Sequence, residues 1–148
     1  MRDSVGGTFM IYVLIVFLAV YIVFVAVAFN YARAFRVKDK IMDIIEQNEG
    51  ISDFSNTSGE IGQIESYLNK ISYRVNGISE SKCNGFDYIN KERGYCIAKK
   101  TSSSSIDNSI TNEYYKVRTF VYIEFPFLKL QFTIPINGET RRVDKITS

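Results

Sequence analysis

Gly7–Phe29 reads GTFMIYVLIVFLAVYIVFVAVAF, with no charge, no proline and no amide side chain. A helix needs about 20 consecutive apolar residues to cross the hydrocarbon core of a bilayer, and Phe9–Phe29 supplies that length. Its Val, Ile and Phe content is poor for a helix in water. In lipid that preference is overridden, because a helix satisfies its own backbone N–H and C=O groups within one segment. The stretch therefore predicts a transmembrane helix over 9–29, after a short N-terminal segment 1–8. A cleaved signal peptide is the competing reading, with Arg2 as a positive start and Ala26-Val27-Ala28 as a small-x-small site. The apolar cores of cleaved signals run to about 7–15 residues, shorter than this one, so the segment is read as retained.

The helical pattern continues past the apolar run. In NYARAFRVKDKIMDIIEQNEG, Ala34, Val37, Ile41 and Ile44 recur at three- and four-residue spacings, with Phe35, Met42 and Ile45 beside them. Arg33, Arg36, Lys40, Asp43 and Glu46 fall mainly on the opposite face, and Gly50 after Asn48 offers a C-terminal stop. The expectation is one rod of ~60 Å from about Gly7 to about Asn48, apolar to Phe29 and amphipathic over 30–49.

Residues 50–148 then suffice for one small domain. SGEIGQIESYLNKISYRVNG predicts a second helix, with Ile61, Ile64, Leu68 and Ile71 on one face, Ser58 as N-cap and Asn76-Gly77 closing it. KKTSSSSIDNS reads as an exposed loop. In EYYKVRTFVYIEF, Tyr115, Val117, Thr119, Val121, Ile123 and Phe125 alternate with a more mixed face. Leu128, Leu130, Phe132, Ile134 and Ile136 likewise alternate with Lys129, Gln131 and Thr133, the period of a half-buried strand. Pro126 is expected at a strand end or edge, and Ile136-Asn137-Gly138-Glu139 as a hairpin turn returning into TRRVDKI. The fold class is α+β, with a long N-terminal transmembrane helix, an amphipathic extension and a second helix on a small antiparallel sheet.

Composition removes several functions. Eighteen Lys and Arg against sixteen Asp and Glu leave a charge of +2, which gives no electrostatic footprint for nucleic acid. Histidine, the commonest general base and metal ligand, does not occur in the sequence. There is no nucleophile–base set, phosphate-cradling glycine loop or dinucleotide fingerprint. Glu124 and Glu139 are single carboxylates suited to solvated strand positions. An enzyme is not expected, nor any cofactor or metal. Cys83 and Cys96 alone cannot complete a tetrahedral metal site. The intervening NGFDYINKERGY reads as a hairpin that brings its ends together, which favours a disulfide over two buried thiols. A disulfide implies an oxidising, extracytoplasmic compartment. The basic residues oppose this: Arg33, Arg36, Lys38 and Lys40 follow the span while Arg2 precedes it, which by the positive-inside rule places the domain in the cytoplasm.

Two stretches resemble a known family. DSVGGTFMIYVLIVF resembles the opening of TadE-like proteins, and VRTFVYIEFPFLKLQFTIPINGETRRV resembles their C-terminal strands. The middle of the chain matches nothing comparable. The resemblance implies a pilin-like minor pilin or pseudopilin of a tight-adherence pilus, anchored in the cell membrane with its domain outside, either in or beside a surface filament. It implies as partners the lipid bilayer and other pilin-like subunits or assembly-platform proteins, in a homo- or hetero-oligomer. With the cysteine pair, it decides the expected orientation. Gly7, Thr8, Phe9, Tyr12, Val16, Val20 and Phe24 belong to the helix that would anchor the chain and supply helix-to-helix packing in assembly. One departure is clear: the family usually carries a glutamate just before the first Phe, where this chain has Thr8. The alternative is a single-pass protein whose outer domain binds a ligand or protein, through exposed Tyr114, Tyr115, Tyr122 and Phe127. With no more than eight residues before the span, a cytoplasmic signalling output is not expected.

Overall fold

The computed structural model describes residues 2–56, 58–75, 78–103, 110–125 and 130–146. Among them the order is helix α1 (Arg2–Gln47), helix α2 (Glu60–Lys70), a 3-10 turn (Glu80–Cys83) and strands β1 (Tyr88–Asn90), β2 (Tyr95–Ser103), β3 (Ile110–Phe125), β4 (Leu130–Glu139) and β5 (Val143–Ile146). The fold is α+β, as its alternating periodicities indicate. Asn76, Gly77, Pro126, Phe127, Leu128 and Lys129 lie outside the described residues, as do residues 104–109 of the serine-rich segment.

Helix α1 is a single uninterrupted helix of 46 residues, ~70 Å long at 1.5 Å per residue. The segment preceding the apolar run is thus helical from Arg2 and continuous with it. Its second half buries Ala34, Val37, Ile41, Ile44 and Ile45, the stripe visible in the sequence. The helix stops where Glu49 adopts φ 56° and Gly50 φ 120°, and the Gly50 N–H donates back to the Ile45 carbonyl at 2.9 Å. Gly50 is also required by packing, because a Cβ there would lie 2.8 Å from the Tyr115 hydroxyl.

Strands β1 to β4 form an antiparallel sheet in sequential order. Strand β3 is its spine: β2 pairs with one edge, in the register Tyr95↔Thr119 and Ser103↔Thr111. Strand β4 pairs with the other edge, from Lys116↔Glu139 to Phe125↔Leu130. The odd-numbered side chains Tyr115, Val117, Thr119, Val121 and Ile123 are buried, and the Thr119 hydroxyl donates to the Ala34 carbonyl of α1 at 3.3 Å. The main core joins this face to α1 and α2 through Val37, Ile41, Ile45, Ile61, Ile64 and Leu68. A second, smaller cluster of Ala34, Val121, Ile123 and Ile136, with Val27 and Phe35 against it, lies nearer the apolar run.

Several expectations are corrected. Asn137-Gly138 is not a turn: both residues pair within β4, with Arg118 and Val117. A Cβ there would come within 2.6 Å of Met42 Sδ and 2.9 Å of Lys38 Cδ, so these flexible side chains of α1 lie directly over Gly138. The chain does not fold back after it. Strand β5 continues along the same edge of β3, where Glu113 meets Val143. From Lys116 to Glu113 strand β3 advances three residues while its partner advances four, from Glu139 to Val143, which is a one-residue bulge. Thr140 fills this bulge: its N–H donates to the Tyr115 carbonyl and its hydroxyl accepts from the Tyr115 N–H, both at 2.9 Å.

Ser58 does not cap α2. The N-cap is Gly59, and Asn56 Oδ1 accepts the Ser58 N–H at 2.9 Å, which holds Ser58 in the preceding turn. The helix ends at Lys70 rather than running on toward Gly77, because Ser72 turns to φ 51°. Lys99–Ser103, expected as loop, extends β2 along β3 because the ladder supplies its backbone bonds. Finally, the apolar alternation of β4 is not a buried face throughout: Ile136 is buried, whereas Phe132 and Ile134 remain 48% and 44% exposed. They stand opposite Ile123 and Val121 on β4, the edge strand of the sheet.

Candidate functional site

The exposed half of α1 is the dominant surface feature. From Phe9 to Phe24 its large apolar side chains are half or more exposed with few exceptions, and a Cβ at Gly6 or Gly7 would meet nothing within 4 Å. Phe9, Tyr12, Val16, Val20 and Phe24 recur at three- and four-residue spacing, so the helix brings them onto one stripe, each more than 55% exposed. Thr8 and Gly7 lie one and two residues before Phe9, on other faces of the helix. This helix is long and apolar enough to cross a membrane. In water its exposed area would be a severe liability, since monomeric soluble proteins rarely leave contiguous apolar patches beyond a few hundred Å².

The four basic residues at the end of the run have different roles. Arg33 reaches across to the end of α2, donating to the carbonyls of Ile71 and Ser72, the latter at 3.0 Å. Helix C-termini leave unpaired carbonyls with partial negative charge, so a guanidinium there satisfies and neutralises them. Its guanidinium also stands 5.9 Å from the ring centre of Tyr73. Lys38 pairs with Asp39 at 3.0 Å and lies over the Phe35 ring. Lys40 pairs with Asp43 at 2.9 Å, one turn along the helix. Arg36 is exposed, and among the described residues no carboxylate lies within ion-pair distance of it.

Cys83 and Cys96 are bonded, with Cα atoms 6.0 Å apart, and both are buried. The bond ties the 3-10 turn to β2 on the face of the sheet opposite α1. The same face carries Arg118, which donates to the Lys82 carbonyl at 2.5 Å and stacks over Phe86. Phe120 is fully buried there, and its carbonyl accepts from the Tyr73 hydroxyl at 2.7 Å. Burial, slightly offset by that bond and by Arg33, pushes the Tyr73 phenol up to about 12. The contacts of Arg33 and Tyr73 span 38 and 47 residues of sequence, so no local pattern reveals them.

The aromatic recognition surface does not assemble as expected. Tyr115 is buried, its hydroxyl accepting from the Ile51 N–H at 3.0 Å. Tyr122 packs against the main core, Tyr114 is half-buried between Lys116 and Arg142, and Phe127 lies outside the described residues. Glu139 pairs with Lys116 at 2.9 Å. Among the described residues no group of three or more Cys, Asp or Glu could hold a metal ion.

Together these features define an α+β domain carried on one end of a long helix whose other end is apolar and bare. Against known proteins the chain matches no family model, no curated protein and no solved structure.

Proposed function

We propose that this chain is a membrane-anchored structural subunit of pilin-like, TadE-like type, which contributes to a surface pilus or related secretion filament through its N-terminal helix. One observation carries the proposal: α1 is a single helix whose first half stands bare of its own domain while its second half is locked under the sheet. Such a helix can pass from lipid into a bundle of like helices without refolding. Both environments offer apolar contact to the Phe9–Phe24 stripe. The domain lies outside the membrane in this account, consistent with the buried Cys83–Cys96 bond. Thr8, in place of a carboxylate, removes the buried charge that would otherwise need a partner amine in the neighbouring subunit. Subunit joining then rests on apolar packing and on close approach at Gly6 and Gly7.

Single cysteines placed at successive positions from Tyr12 to Val20 test this in cells. Oxidative crosslinks between copies, or to a pilin-like partner, should recur with helical period along the Tyr12–Val16–Val20 stripe. Anchoring without a crosslink at any phase would favour a solitary membrane-bound binding domain.

A further inference from the structure

The domain end of the apolar run contains a groove. Helices α1 and α2 run in opposite directions: Asn48 meets Gln63 at 3.4 Å, and Arg33 meets Ile71 and Ser72. The C-terminus of α2 therefore stands beside the point where α1 leaves the domain. Between them opens a cavity of about 540 Å³, walled by Phe29, Ala32, Tyr67 and Ile71 on its apolar side and by Arg33 and Arg36 on its charged side.

Its height follows from helix geometry. Phe29 ends the apolar run, so Arg33 and Arg36 stand about 6 and 10 Å beyond it along the axis. The headgroup layer occupies roughly 5–7 Å outside the hydrocarbon on each side of a bilayer. Helical side chains lean toward the N-terminus of their helix. Arginines at these positions can therefore reach back toward the apolar run, whichever side of the membrane the domain occupies.

Charge selects the occupant. Asp39 and Asp43 face the hollow adjoining Arg36 but are held by Lys38 and Lys40 at 3.0 and 2.9 Å. Arg33 is partly committed to the end of α2, which fixes its position. A planar guanidinium with free donors suits the oxygens of a phosphate better than a point charge does. A free inorganic anion would gain nothing from Phe29, Ala32 and Ile71.

We propose that this groove seats the phosphate headgroup of an anionic glycerophospholipid. Arg36 is the principal ligand, Arg33 the fixed edge, and the apolar wall lies along the glycerol and first acyl carbons. The site rests on the reading of α1 as a membrane anchor.

The test uses the full chain in mild detergent, titrated with phosphatidylglycerol or phosphatidylcholine and read by native mass spectrometry. Phosphatidylglycerol should bind in preference, and Arg36→Gln should weaken it about tenfold, the worth of one charge-assisted hydrogen bond. Arg141→Gln removes the same charge beside Glu46, ten residues further along α1, and should change binding less than twofold. Equal binding of the two lipids, equal loss in both variants, or displacement of the lipid by millimolar inorganic phosphate would each overturn the site. Flotation of both variants with phosphatidylcholine vesicles separates this outcome from failure of the anchor. If the wild-type chain does not float, the membrane reading itself falls.

Discussion

Tyr115→Phe tests how the rod is joined to the sheet. The Tyr115 hydroxyl accepts from the Ile51 N–H at 3.0 Å and lies 3.4 Å from the Ile51 carbonyl, at the corner where α1 gives way to the rest of the domain. Both residues are buried, at 1% and 5% exposure. The substitution leaves the ring in place and opens no cavity larger than an oxygen. It leaves the Ile51 N–H without its partner and out of reach of water, a loss of about 1–3 kcal/mol. Small domains lose roughly 4–8 °C in Tm per kcal/mol, so the variant should melt about 10 °C lower. Circular dichroism of the full chain in detergent, heated with wild type, reads the effect. Tyr114→Phe, at a half-buried neighbour, should stay within about 0.5 kcal/mol. Equal melting of Tyr115→Phe and wild type would refute the claim that this bond closes the corner.

Other perturbations address the remaining parts. Burial pushes the Tyr73 phenol up from its ordinary 10.0 to about 12, so the folded state favours its protonated form. The stability it contributes is complete below pH 10 and is lost as pH rises through 12, about 2–3 kcal/mol in all. Tyr73→Phe should flatten the fall in Tm between pH 10 and 12, and an unaltered slope would assign it to other groups. Replacing Cys83 and Cys96 together by Ala opens a loop with a sequence separation of 13 residues and should cost about 3 kcal/mol in urea unfolding. An unchanged midpoint would mean the bond adds nothing. Val16→Lys places a charge mid-helix at about 2.5–3.5 kcal/mol and should shift the chain out of the membrane fraction. Unchanged fractionation would show that this segment is not the anchor.

Periodicity made much of this fold legible. The stripe Ala34, Val37, Ile41, Ile44 and the alternation from Tyr115 to Ile123 each bury the residues their spacing singles out. What stayed hidden depends on distant chain. Asn137-Gly138 carries a strong turn signature, but the chain there stays paired with Arg118 and Val117 of β3, under Met42 and Lys38 of α1. Phe120 sits on the mixed face of β3 and is buried because the chain through Tyr73 and Cys83 crosses that face. At the candidate site, the apolar stripe and basic flank were visible as composition. The groove was not, because it forms where Arg33 meets the end of α2, 38 residues away. Residues of like charge in the flank thus acquire different roles: Lys38 and Lys40 are neutralised in place, Arg33 is tied to the end of α2 and Arg36 is open.

Protease treatment of intact cells, with surface material sheared in parallel from untreated cells, reports both the side the domain occupies and whether the chain enters a filament. Residues 50–148 should be digested from outside, and the intact chain should appear in the filament fraction sheared from the untreated cells. Complete protection until the cells are lysed would contradict this, placing the domain on the side that Arg33, Arg36, Lys38 and Lys40 favour by charge alone.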